Sequence, residues 1–158
     1  MKANGRLASL AAAVLHVPAV PERILEIGCE SGDRALFLAR EYPTARVRGL
    51  DASAESIHAA VARVGLDPEG RVAFKQGGSR RLPYPGDHFD LVVQAGGRLR
   101  PGEIARVLRR YGHLILIGEW RLREWRVAGH GFEAVTDGGA EGERFHVLRL
   151  HPVEHEPE

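Results

Sequence analysis

Short apolar runs alternate with amphipathic stretches along most of the chain. Ile24–Ile27 is a brief apolar run. The spacing then predicts a helix from about Asp33 to Glu41, with Leu36, Leu38 and Ala39 facing a sheet. Arg46–Leu50 is the next apolar segment and ends at Asp51. Ser53 reads as the N-cap of a helix whose buried face is Ile57, Ala60, Val61 and Val64 and whose stop is Gly65. Val72–Lys75 and Phe89–Val93 read as strands, the second continuously apolar as a central parallel strand should be. Glu103–Arg110 is a short predicted helix ended by Tyr111 and Gly112, and His113–Ile117 is a fifth strand. Ahead of all these, Leu7, Leu10, Ala11, Val14 and Leu15 share one helical face, and Pro18 and Pro21 break the pattern. The alternation predicts an α/β fold: a Rossmann-like, doubly wound, mostly parallel sheet with helices on both faces.

The last third changes character. Glu119–Val127 reads as a short helix carrying Trp120 and Trp125, which serve as core, as a pocket wall or as a dimer contact. Phe132–Thr136 and Arg144–Leu150 are strands joined by the glycine-rich DGGAEGE, which suits a hairpin better than a crossover. The parallel sheet is therefore expected to end in an antiparallel pair. Residues 1–150 read as one domain, with 1–22 an N-terminal helix and linker and 151–158 a polar tail.

Composition narrows the picture. A chain of 158 residues suffices for one domain with a core. With 44% apolar and 27% charged residues it is an ordinary globular composition. The net charge of +1 gives no electrostatic ground for a nucleic-acid or membrane partner. RLREWR and RVLRR are accordingly read as solvated helix faces. Cys29 is alone, so no intrachain disulfide forms, and it reads as small packing in a reducing cytoplasm. The N-terminal MKANGRLASLAAAVL has the look of a secretory leader, but a domain of cytoplasmic type follows at once, which favours the amphipathic helix. No run approaches the roughly 20 apolar residues a membrane crossing needs. The expectation is a cytoplasmic protein. His151 and His155 sit in the tail, so no metal site is expected.

The chemistry is concentrated in ILEIGCESG. A glycine-rich turn between a strand and a helix sets backbone N–H groups and the positive helix end beside a ligand. Gly28 and Gly32 supply that turn, and Asp51, at the end of the next strand, is placed to accept from ribose hydroxyls. Nicotinamide enzymes share this arrangement, and each residue also has a purely structural reading, as a tight turn or a strand-end carboxylate.

ILEIGCESG, VRGLDAS, RRLPYPGDHFDLVV and IARVLRRYGHLILIG resemble, in order and spacing, successive blocks of the class I S-adenosylmethionine-dependent methyltransferases, over roughly Ile24 to Gly118. The resemblance implies that fold, with its antiparallel last strand, and S-adenosylmethionine as cofactor. It assigns Glu26 to orienting the methionine portion, Gly28 and Gly32 to the loop, Asp51 to the ribose and Ala52 to the adenine border. Gln94 and Ala95 then face the methionine end and the substrate. Two positions depart from the pattern. Glu30 replaces the loop's middle glycine, where its charge opposes the methionine carboxylate or favours the ammonium and sulfonium. Gly78 replaces an adenine-binding aspartate, leaving Ser79 as a weaker substitute. The implied activity is methyl transfer to an unidentified acceptor, small molecule or protein; the alternative is an inactive methyltransferase-like domain acting as a binding or assembly module. Tyr84, Gln94, His113 and Glu119 lie near strand ends that face the acceptor, and none is assigned as catalytic. The chain carries little to cover the substrate, so a second copy or a partner protein is expected over the acceptor side.

Overall fold

The computed structural model describes residues 7–120 and 127–152. Seven strands form one sheet: β1 (Arg23–Ile27), β2 (Arg46–Asp51), β3 (Val72–Gln76), β4 (Phe89–Ala95), β5 (Leu108–Ile117), β6 (Phe132–Ala140) and β7 (Glu143–Leu150). Their spatial order is β3-β2-β1-β4-β5-β7-β6. The first five strands are mutually parallel, and β7 enters antiparallel between β5 and β6. The order reverses at β1, and parallel β1 and β4 lie side by side with Ile27 opposite Gln94. In open sheets of this kind the crevice at such a reversal, at the strands' carboxyl ends, is where ligands bind.

Four helices complete the described fold: α1 (Ala8–Val14), α2 (Asp33–Glu41), α3 (Ala54–Val64) and α4 (Pro101–Val107). One face of the sheet packs Ile24, Val47, Leu91, Val93, Ile115 and Val147 against α1 and α2. The other packs Leu25, Leu50, Val92, Leu114 and Leu148 against α4, Leu82 and Val127. Strand parity explains the split, since neighbouring residues of β1 and β4 point to opposite faces. β3 and β4 are joined by residues 77–88 without a helix.

The elements fall where the hydrophobic pattern places them, with four adjustments. In α1 the buried residues are Ser9, Leu10, Ala13 and Val14, while Leu15 is 81% exposed. The helix is too short to hold the wider face, and Ser9 turns inward because its hydroxyl donates to Glu143 Oε1 at 2.5 Å. In α3, Ser53 is the N-cap, accepting from the Ser56 N–H, and Gly65 is the C-cap. Only Ala60 of the expected face is buried, because α3 lies over the β2–β3 edge and Val61 points past it. The third adjustment is the end of α4 at Val107. Leu108 turns extended so that its side chain enters the core, and its backbone pairs with Phe89. Tyr111, at φ 63°, and Gly112 shape a bulge at the start of β5 instead of ending a helix. Finally β6 extends to Ala140, so the hairpin turn narrows to Glu141 and Gly142. Most of the expected Glu119–Val127 helix, including Trp125, lies outside the described residues, as does His155.

Candidate functional site

The β1–α2 turn is tied to the end of β2. The N–H groups of Gly28 and Cys29 both donate to the Leu50 carbonyl, at 2.8 and 3.1 Å. Gly28 has φ 76°, and a β-carbon there would stand 3.0 Å from the Ala95 carbonyl oxygen, so the turn and the end of β4 touch backbone to backbone. Gly32 has φ 92°, and a β-carbon there would crowd Phe74 and Ala60. Glu30 adopts φ 49°, the left-handed conformation of the glycine it replaces. Its N–H donates to Asp51 Oδ2 at 2.9 Å, while Asp51 Oδ1 accepts from the Ser53 N–H at 2.9 Å. One carboxylate thus fixes both the glycine turn and the start of α3.

These loops enclose two connected hollows at the carboxyl ends of the strands. The first, about 320 Å³, is lined by Gly28, Glu30, Asp51, Ala52, Gly78, Ser79 and Gln94, with Ile27, Leu50, Gly77, Ala95, Gly96 and Gly97. The second, about 390 Å³, is lined by Glu30, Arg34, Glu119, Trp120 and Glu143 together with Ala95, Gly96, Gly97, Ile117 and Gly118. Glu30 and residues 95–97 border both, so the two form one groove crossing β1 and β4 with Glu30 at its waist.

Two buried acceptors lack partners among the described residues: Gln94 Oε1, whose residue lines the groove, and Glu26 Oε2, whose residue lies beneath the turn and lines neither hollow. Glu26 is fully buried on the α2 side, where its Oε1 accepts from Arg34 Nε at 3.1 Å. Arg34 Nη2 also donates to the Gly28 carbonyl at 2.8 Å. Burial raises the Glu26 carboxyl to about 7, against the lowering effect of Arg34, and the nearby charges of Glu30 and Asp51 add to the rise. Gln94 points to the other face, its amide donating to the carbonyls of Gly96 and Arg98 at 3.2 and 3.1 Å. That leaves its oxygen free for a donor. Cys29 is buried, and desolvation with the neighbouring carboxylates pushes its thiol up to about 12, so it stays protonated.

Of the positions expected to face an acceptor, Gln94 and Glu119 line the groove. Tyr84 does not: it packs edge-on against Phe89 and lines a separate cleft beside Arg80. His113 lies early in β5, opposite Leu91 and Arg149, and burial holds it below the ordinary histidine value. Trp120 is at once core and groove wall, its indole N–H donating to the Ile117 carbonyl at 2.8 Å. Arg34 and Glu143 were not singled out from the sequence. A cation in the first turn of α2 opposes the helix dipole, and that alone signals that Arg34 needs a carboxylate partner. Glu143 carried no such signal, because its place depends on how β7 is inserted.

Residues 24–115 match the family model described as a methyltransferase domain. Among curated proteins, the fatty-acid O-methyltransferase of Mycolicibacterium smegmatis is 34% identical over 101 residues, covering 60% of this chain and 36% of that protein. The trans-aconitate 2-methyltransferase of Streptomyces avermitilis is 36% identical over 102 residues, covering 63% of this chain and 38% of that protein. The chain thus spans little more than a third of the length of these two relatives. Among solved structures, a chain from the complex of the Haloferax volcanii Trm112 methyltransferase activator superposes with a TM-score of 0.76 at 18% identity, covering 94% of this chain and 92% of that one. The matched segment carries the glycine turn, Asp51 and the β4 side of the groove, while Ile117–Trp120 and Glu143 lie beyond it, and the chain belongs to the methyltransferase domain family.

Proposed function

We propose that the chain binds S-adenosylmethionine in this groove and transfers its methyl group to an acceptor. The observation that carries the reading is the pair of buried acceptors, Glu26 Oε2 and Gln94 Oε1, at the end of a glycine turn closed by Asp51. The residues present fit a ligand of that kind. Gly28 lets the turn close onto the end of β4 and lines the hollow, Asp51 offers lone pairs to ribose hydroxyls, and Ala52, Gly78 and Ser79 border the adenine end. Glu30 and Glu143 set negative charge around the other end, where Arg34 is the one arginine among the described lining residues. When bound, the cofactor supplies an electrophilic methyl group on a sulfonium. The chain contributes alignment: Glu26 fixes Arg34 and through it the turn, and Gln94 fixes the loop after β4. A displacement at a sulfonium needs donor and acceptor in line and water excluded, so no general base is required where the acceptor is already nucleophilic. Both curated relatives named above methylate carboxylic acids by name, which is consistent with an acidic acceptor here.

Calorimetric titration with S-adenosylmethionine tests the reading. A micromolar dissociation constant, abolished in Asp51→Ala, is the expected result. No heat up to millimolar cofactor sinks it and leaves a non-catalytic binding module.

A further inference from the structure

We propose that the acceptor is a small molecule bearing a carboxylate or phosphate, held by Arg80, Arg98 and Arg100 in a cleft beside the cofactor groove. The inference rests on the methyl-transfer reading and names the substrate class of the same site. The cleft, about 590 Å³, is lined by Arg80, Arg98, Leu99, Arg100, Glu103 and His130, with Pro101, Gly102 and Gly129. That volume suits a small organic molecule. The cleft shares no lining residue with the groove but neighbours it along the chain at two places. Ser79 and Gly97 line the groove, and the next residues, Arg80 and Arg98, line the cleft.

Among the described residues the arginine charge in the cleft is uncompensated. None of the three guanidinium groups makes a hydrogen bond or ion pair among the described residues, and Arg100 Nε is buried without a partner there. A buried, unpaired guanidinium nitrogen is costly unless something accepts from it. Glu103 is the one acid among the described residues of the lining, and it is already engaged. Its Oε1 accepts from the Leu82 N–H at 2.8 Å and from Arg106 Nη2 at 3.2 Å, and its Oε2 accepts from Arg106 Nε at 2.9 Å. The hydrogen bonds from Arg106 hold its carboxyl below the usual range, so it stays an anion committed to that partner. The cleft is also built rather than loose. The Arg98 carbonyl is pinned by the buried Gln94 amide, and Gly102 lies against the His130 ring, where a β-carbon would stand 3.1 Å away. Forked guanidinium donors match carboxylate and phosphate oxygens in pairs. An acceptor anchored there would extend its nucleophile past Gln94 toward the groove. A concave site of this size on a chain of net charge +1 favours a small anion over a nucleic acid.

The test is calorimetry at fixed ionic strength with citrate, inorganic phosphate and the neutral trimethyl ester of citrate as probes. Citrate or phosphate should bind and the ester should not; the tighter anion names the group recognised. Affinity should fall at least tenfold in Arg80→Gln/Arg98→Gln, which alters exposed side chains only, and further when Arg100→Gln is added. Arg40→Gln, on the opposite face of the sheet, controls for net charge. S-adenosylmethionine affinity is measured in parallel and should not change in any of these variants. Cofactor binding without anion binding overturns this proposal alone, and anion binding without cofactor binding overturns the methyl-transfer reading. An equal loss in Arg40→Gln, or tight binding of a single-stranded RNA oligomer through the same arginines with neither anion bound, also overturns it.

Discussion

At the scale of single residues, Glu30 and Glu26 hold the most information. Glu30 occupies the left-handed conformation at a cost of roughly 1–2 kcal/mol for a side chain, partly offset because glycine loses more freedom on folding. Glu30→Gly should therefore raise stability by up to about 1 kcal/mol, read from the denaturant midpoint. Its carboxylate adds to those of Glu26 and Asp51 at the groove. Removing it should weaken S-adenosylmethionine by roughly fivefold relative to S-adenosylhomocysteine, whose sulfur is uncharged. Tighter binding of both would instead mark the side chain as an obstruction. Glu26 makes a separate prediction. Its carboxyl ionises near 7 in the fold against an ordinary value of 4.5. Between those values the folded protein holds a proton that the unfolded chain has released. Stability is thus fully present below about pH 4.5 and declines as pH rises to about 7, by something on the order of 3 kcal/mol. Urea midpoints at pH 5 and pH 8 should show the decline in the parent and a flatter profile in Glu26→Gln. The sequence alone makes Glu30 an oddity. Its φ angle and its place between two hollows depend on the Asp51 contact, which no local pattern encodes.

At the scale of elements, local patterning and tertiary context divided the work unevenly. The bounds of α2 and the caps of α3 follow from local residues, and both were legible before the fold was known. The end of α4 was not. Arg109 and Arg110 are good helix formers, so propensity extends the helix, but burying Leu108 beside Phe89 wins. The α3 face was misjudged for a related reason: amphipathicity says which residues share a side, and only the edge position of β3 says how many are covered. Helix α1 is the element most dependent on its surroundings. Seven residues are too few to be helical alone, so its stability comes from packing on β5, β6 and β7. Leu10 is fully buried there, and Leu10→Ala should cost about 2–5 kcal/mol of global stability by chemical denaturation. A loss below 1 kcal/mol would mean that the helix is not integral to the core.

At the scale of the whole molecule, the sheet order with its antiparallel β7 is what separates this fold from the nicotinamide-binding alternative, since both share the turn and the carboxylate. The sequence indicated the hairpin through its glycine-rich turn, whereas the arginine-lined cleft joins residues 80, 98–103 and 129–130, which only the folded chain brings together. No described helix is long and apolar enough to cross a membrane. The contact of α1 with the hairpin has a further consequence. Ser9 and its partner Glu143 are 134 positions apart, so α1 meets its partners only when the later-made hairpin has left the ribosome. Until then Leu10, Ala13 and Val14 have no cover from β7, and the emerging chain carries an apolar helix face that β7 has yet to close over.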